Sequence, residues 1–521
     1  MLRALFLLGV VCTSLAHLDR SGQCASDIDY NSDLAFDNYE QQSPFTTVPT
    51  PPLQVLPLVV SGPSENRVDL VFFSDGYVQA ERAKFIEDAT RLAQDISGNQ
   101  TFNTVKPLMN FWAAFTPSQE SGVGVGGKAK DTVFGLYRDG TELRGVYYAK
   151  PEVAAAACSS LGSKCDYPIL MGNDPLYGGL GGRFTVITPS LANGALILRH
   201  ELGHSIIKVG EEYDGGFAYF GPNAHTNLSK AVPWTQWLTD PSNLRVERSV
   251  MPMQDYAWTL LNTSAPWSVT FESSGQYARH LVRFSLSGIP EAADLRVDLD
   301  GADLGWRPRP GIGVDRSFYD IARDGGLTPG PHTLTFTLLN PAREPAAQMC
   351  SAEILEFGDE HEFVSTPGHY SLYPTYSLAN ATTYRPTNED CLMRIVTTPN
   401  FCKACLEGLW LSLLRNITLI DGLDEIHAVD GDTTAVQLTL RLVPLAQFRA
   451  VPIAGLDESY TITWLDASTG KVLGDLANQT EVVLPAGTDT VRVHVRYTTN
   501  EVRVDPDNLL TAQANYTVRS S

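Results

Sequence analysis

Two imidazoles on one helix can share a metal ion when they stand one turn apart on the same face, and His200-Glu201-Leu202-Gly203-His204 meets that condition. This H-E-x-x-H stretch constrains the fold more than any other part of the chain. Histidines at i and i+4 reach a shared Zn2+ at about 2.0–2.1 Å from a helical backbone, so a helix is expected here. It should be a buried one, because Ala195, Leu196, Ile197 and Leu198 precede it and Leu202, Ile206 and Ile207 extend its apolar face. A buried helix carrying two histidines and a glutamate without partners would suffer a large desolvation cost, which weighs against a purely structural role. Glu201 stands beside the metal position, outside the ligand set, where it can take a proton from water and pass it to a leaving amine. A structural zinc site would recruit cysteines and close the fourth position, so the expected site is catalytic and open.

The third ligand has to come from beyond the helix. If the helix simply continued, Glu211 would lie eleven residues past His200, about 16 Å along the axis at 1.5 Å per residue. The chain must therefore turn back. Gly210 is the expected hinge, since glycine takes the left-handed conformation that ends many helices. Such a turn brings Glu211 or Glu212 to the histidines. Glu211 is the preferred metal ligand beside His200 and His204, with Asp214 and His225 ranked below it. The acid left over can orient a ligand histidine.

The rest of the chain sets the context for this site. Its 521 residues carry 38 basic and 59 acidic side chains, a net charge of −21, and no run of five basic residues, which excludes nucleic acid as a partner. A hydrophobic fraction of 43% with 19% charged residues describes a globular chain. At the N-terminus, Arg3, an apolar run and Thr13-Ser14-Leu15-Ala16 ahead of His17 read as a secretory signal peptide over residues 1–16. No other stretch has the apolar length of a membrane span. The expected location is extracellular. Seven N-x-Ser/Thr sequons, at Asn99, Asn227, Asn262, Asn380, Asn416, Asn478 and Asn515, agree with that. Seven cysteines remain after the leader and read mainly as disulfides, with Cys158 and Cys165 closing a short loop. Cys402-x-x-Cys405 is followed by no second C-x-x-C, so structural pairing is preferred over a redox or zinc pair.

Periodicity divides the chain further. Residues 17–66 are polar and proline-rich, an extended or β lead-in. Apolar runs at 68–73, 111–115, 167–171 and 184–188 read as strands, and Phe85, Ile86, Ala89, Leu92, Ala93 and Ile96 read as an amphipathic helix. Strands alternating with helices imply an α/β (α+β) unit over 67–275 and 348–415. Its glycine-rich stretches lack G-x-x-x-x-G-K-[ST] and read as loops near a cleft. Two-residue alternation marks an inserted small β-domain at 276–347, and its return at 436–442, 460–464, 481–484 and 491–497 marks a C-terminal immunoglobulin-like β-sandwich over 416–521.

The chain resembles the IgA-peptidase-like zinc metallopeptidases (metallopeptidase family 64, metzincin-like). The resemblance rests on Asp69-Leu70-Val71-Phe72-Phe73-Ser74-Asp75-Gly76-Tyr77, Asn110-Phe111-Trp112-Ala113, Glu120-Ser121-Gly122-Val123, Asn173-Asp174-Pro175-Leu176-Tyr177-Gly178-Gly179 and the zinc helix running into Glu211-Glu212-Tyr213. Further matches are Tyr384-Arg385-Pro386-Thr387, Cys391-Leu392-Met393-Arg394 and Phe401-Cys402 with Cys405. The resemblance implies a metzincin-like zinc peptidase domain acting on a protein or peptide substrate, with His200 and His204 as zinc ligands and Glu201 as the catalytic glutamate. Glu211 takes the third-ligand position, where the family more usually has aspartate, and Lys208 stands where it often has glycine. Met393 corresponds to the methionine-turn residue beneath the zinc, with Met251 and Met253 as rivals, and Tyr213 and Tyr384 are candidates for stabilising an oxyanion. The family name does not make immunoglobulin A the substrate. The competing reading is a catalytically idle, secreted, zinc-containing binding protein that works through its β-modules; a broken motif would mark it, and the motif is intact.

Overall fold

The computed structural model describes residues 48–427, 436–485 and 487–518. The leader at 1–16, Cys24 and most of the 17–66 segment lie outside the described residues.

The sheet beside the candidate site has six strands. β1 is Gln54–Val59, β2 Val68–Asp75, β3 Met109–Phe115, β4 Tyr167–Gly172, β5 Gly179–Leu180 and β6 Thr185–Ile187. Their order is β1-β3-β2-β4-β6-β5, four parallel strands in the middle with an antiparallel strand at each edge. Every residue of β2 is buried, as expected for a central parallel strand covered on both faces. Side-chain alternation sends Leu70 and Phe72 to one face and Val71 and Phe73 to the other. On the first face lie helix α1, Arg82–Gly98, whose Phe85, Ala89, Leu92, Ala93 and Ile96 are buried, and helix α2, Gly194–Leu202. The short helix Pro151–Ser159 covers the other face with Ala154 and Ala157. At the end of β2, buried Asp75 accepts hydrogen bonds from the Phe134 and Leu136 amides at 2.6 and 2.9 Å and from Thr132 Oγ1 at 2.8 Å, which ties down the following loop.

Two further sheets share a core of their own. A five-stranded sheet includes Ser249–Asp255, Arg279–Ser287 and Gln348–Phe357, and a four-stranded one includes Trp267–Ser273 and Gly330–Leu338. Asp315 connects this unit to the loops leading into α2: it accepts from the Tyr177 amide, Ser190 Oγ and Asn193 Nδ2 at 2.6, 2.6 and 2.8 Å. Helix α3, Lys403–Leu414, returns to the first core. Beyond it, two three-stranded antiparallel sheets, including Val436–Leu442 and Thr490–Thr499, bury alternate residues in that same core. Trp410 of α3 packs against Tyr497 and donates to Glu501 Oε2 at 2.7 Å, while Arg67 pairs with Asp421 at 2.6 Å. The whole is a mixed α+β architecture rich in strands.

The Cys158–Cys165 disulfide forms as expected, but the pairing expected of Cys402 and Cys405 does not. Both are free and buried, because Cys391 and Glu212 meet them in one cluster. All seven sequon asparagines are exposed. Among the described residues, no helix is long and apolar enough to cross a membrane.

Candidate metal centre

Helix α2 carries His200 and Glu201, and its continuation over Gly203–Ile207 widens into a π-helical turn that carries His204. The helix stops at Lys208, which is left-handed at φ 59°. The expected hinge at Gly210 is thus displaced by two residues. Gly210 is not left-handed; it is needed for close backbone approach, since a Cβ there would stand 2.5 Å from the Ala218 oxygen. Its amide donates to the Phe220 carbonyl and that of Glu211 to the Ala218 carbonyl, each at 2.8 Å, and this pairing returns the chain to the histidines. A left-handed Lys208 costs about 1–2 kcal/mol, against roughly 0.5–1 kcal/mol of extra chain entropy lost by glycine. Lys208→Gly is therefore expected to raise stability by about 0.5–1 kcal/mol, read as a higher denaturant midpoint. A lower midpoint would mean that the lysine side chain contributes more than its backbone costs.

Both histidines are fixed through Nδ1. That of His200 lies 3.1 Å from the Leu392 carbonyl oxygen and that of His204 2.7 Å from the Val209 carbonyl oxygen. A carbonyl only accepts, so each Nδ1 carries a proton and donates, and Nε2 is the nitrogen that faces inward, free to give its lone pair once a metal ion takes the place of any proton there. The two Nε2 atoms are 3.2 Å apart. Glu211 closes the group, with Oε2 at 3.3 Å from His200 Nε2 and Oε1 at 3.1 Å from His204 Nε2. Three electron-pair donors face one point, and Glu211 Oε2 is buried without a hydrogen-bond partner. Burial opposes charge on each member, yet the Glu211 carboxylate overcomes it at the imidazoles, raising His200 and lifting His204 to about 9. The same attraction holds Glu211 below the usual carboxylate range despite its burial. Such a group retains positive charge between its members, and an N2O donor set fits a divalent cation of the zinc type.

Glu201 lies beside the group, its carboxyl raised by burial and lowered in part by the two histidines. The edge strand β5 and Gly181 close over it. A Cβ at Gly179 would stand 2.8 Å from Glu201 Oε1, and one at Gly181 would stand 2.7 Å from the His204 Cβ and 3.0 Å from Glu201 Oε2. Only glycine lets the edge backbone approach this closely. Beneath the group lies Met393, fully buried, whose sulfur would stand 2.9 Å from a Cβ on Gly203. Its carbonyl accepts from the Glu212 amide at 3.1 Å. Met253 belongs instead to the five-stranded sheet, and Met251 lies on the same strand.

Of the remaining candidates, Tyr213 reaches the centre: its ring stacks 6.4 Å from that of His200, and burial together with the nearby Glu211 carboxylate raises its hydroxyl well above the usual tyrosine range. Tyr384 pairs through its backbone with His225, whose ring packs against Trp234. Asp214 is committed to Arg394 at 2.6 Å. Glu212 points away into the cysteine cluster. Sequence reasoning passed over Leu392 and Val209, which act through backbone oxygens that no residue type signals. It read the glycines around Gly181 only as a loop near a cleft and gave Tyr177 no role, although Tyr177 faces Glu201 and Glu211 closely enough that their charges help raise its hydroxyl, with burial the larger cause, to about 12.

Residues 56–259 match the family described as IgA Peptidase M64. This segment belongs to the IgA peptidase M64 family. The M64 match contains His200, Glu201, His204 and Glu211, while the cysteine-bearing segment 391–405 lies beyond it. No curated protein matches the chain. Among similar solved structures is an exo-beta-1,3-galactanase from Phanerochaete chrysosporium with galactose, 15% identical over 20% of this chain and 29% of that one, at a TM-score of 0.14. Another is a GH2 beta-galacturonidase from Eisenbergiella tayi bound to glycerol, 12% identical over 48% of this chain and 34% of that one, at 0.10. The chain thus spans about a third or less of these two structures, and scores this low carry no argument.

Proposed function

We propose that this chain is a secreted zinc-dependent endopeptidase. The observation that carries the reading is the convergence of His200, His204 and Glu211 on one point with Glu201 beside it. In this reading those three hold the metal and Glu201 is the general base and acid. Zinc held there supplies Lewis-acid polarisation of the scissile carbonyl and raises the acidity of water. Glu201 accepts the proton from the attacking water on a carboxylate oxygen and returns it to the leaving amide nitrogen. The Tyr213 hydroxyl stands as a donor for negative charge on the carbonyl oxygen. Gly179 and Gly181 let the edge backbone pack directly against the catalytic glutamate and hold it in place.

The peptidase unit would be a metzincin-like domain within 67–275 and 348–415, with the strands at Ser249–Asp255, Trp267–Ser273 and Gln348–Phe357 given over to the core they share with the insertion. The insertion at 276–347 and an immunoglobulin-like sandwich at 416–521 would act as modules that present protein substrates. Support for an extracellular location comes from the Cys158–Cys165 disulfide, the leader-like residues 1–16 and the exposure of every sequon asparagine.

The test is cleavage of a complex protein mixture, with new termini identified by mass spectrometry. Termini should be produced by the secreted protein, vanish when its metal is stripped, and return with added zinc. Undiminished cleavage after metal analysis shows the ion to be gone would refute the mechanism.

A further inference from the structure

A second cluster of ligand-type side chains lies behind the candidate centre. Cys391, Cys402, Cys405 and Glu212 are all buried, and one donor atom from each lies within 4.8 Å of all the others. The sulfurs of Cys391 and Cys405 are 3.8 Å apart, and that of Cys405 is 3.7 Å from Glu212 Oε1. Tetrahedral zinc with bonds of about 2.3 Å to sulfur and 2.0–2.2 Å to oxygen sets its ligands about 3.5–3.8 Å apart. The spacing of the cluster is therefore that of a metal site.

Its polar accounting points the same way. Glu212 Oε1 is held by Asn223 Nδ2 at 2.9 Å, while Oε2 is fully buried and has no hydrogen-bond partner. A disulfide between any two of the thiols would leave the weak S–H of the third as the cluster's one remaining donor to this carboxylate. One divalent cation satisfies all four. The helix end favours anionic ligands: Cys402 is the N-cap of the twelve-residue helix α3 and Cys405 lies in its first turn, at the positive end of the helix dipole. The Cys402 amide lies 3.3 Å from Cys391 sulfur, an N–H to sulfur contact of the kind that supports metal-bound thiolates.

We propose that Cys391, Cys402, Cys405 and Glu212 bind a second zinc ion in a closed structural site. Soft thiolates select zinc over calcium or magnesium, and four protein ligands leave no position for substrate. Binding displaces the thiol protons and involves no change of oxidation state. The ion ties together the two segments that build the candidate catalytic centre, because Glu212 follows Glu211 and Cys391 precedes Leu392, whose carbonyl holds His200. The site lies outside the proposed peptidase machinery and stands without it.

The test uses the full secreted chain, purified without chelator. Metal analysis and native mass spectrometry should find two zinc ions per chain, and one in His204→Ala. After cobalt(II) exchange, a thiolate-to-cobalt charge-transfer band should persist in His204→Ala and be absent from Cys402→Ala. Alkylation of the denatured, unreduced, chelated protein should label Cys391, Cys402 and Cys405. A disulfide-linked peptide joining two of them, or one zinc in the wild type and none in His204→Ala, would overturn the proposal. Thiol mapping and metal content of the wild type decide it even if a variant fails to fold. A thiolate band with no zinc lost in His204→Ala would instead count against the catalytic reading and leave this site standing.

Discussion

Glu201→Gln is expected to lower kcat for peptide hydrolysis by about 10²–10⁴-fold, the usual contribution of a positioned general acid–base. The substitution keeps the shape of the side chain, which matters because the Gly179 and Gly181 backbones leave no room for a larger one. It removes only the ability to take up and return a proton. The histidines and Glu211 do not depend on Glu201 for their positions, since His200 and His204 are fixed by the Leu392 and Val209 carbonyls. Metal content should therefore stay at the wild-type level and KM should change little. Steady-state kinetics on a peptide identified from the cleavage experiment, paired with metal analysis, checks both. A variant with full kcat would assign the proton transfers to another group.

Arg394→Met is expected to destabilise the protein by about 3–5 kcal/mol, the cost of breaking a buried ion pair by removing one partner. Arg394 and Asp214 meet at 2.6 Å with both side chains fully buried. Arg394 also donates to the Glu212 carbonyl at 3.0 Å and pairs with Glu389 at 3.4 Å. Methionine preserves much of the volume but leaves the Asp214 carboxylate with the Tyr376 amide as its remaining partner, at 2.7 Å. The pair joins the segment after Glu211 to the segment after Leu392, so weaker metal retention should accompany the loss of stability. Arg394→Met combined with Asp214→Leu should recover much of the loss, because an apolar pair removes both desolvation costs together. Denaturant unfolding of the single and double variants checks this. Equal destabilisation by the double variant would show that the cost is one of packing rather than of an orphaned charge.

Much of the peptidase sheet could be read from periodicity. The runs at 68–73, 111–115 and 167–171 lie within β2, β3 and β4, and the apolar positions from Phe85 to Ile96 fall within α1. These are local patterns, set by which residues alternate toward a core. The helix exit was harder. Glycine preference pointed to Gly210, but the left-handed residue is Lys208, held there because pairing of 210 and 211 with 220 and 218 determines where the chain must turn. Cysteine arithmetic in an oxidising context pointed to disulfides, and it missed the buried carboxylate that makes a different use of three thiols possible.

Spacing along one helix was enough to place His200, Glu201 and His204 together, because helical geometry is a property of the local backbone. It also required a carboxylate to return from beyond the helix, since a straight continuation runs out of reach. Which of two adjacent acids returns was decided by tertiary structure: Glu211 faces the imidazoles while Glu212 faces Cys391, Cys402 and Cys405. The tethers on the histidines were equally invisible. Leu392 lies 192 residues from His200 and acts through a carbonyl that every residue possesses, so only the folded chain could select it.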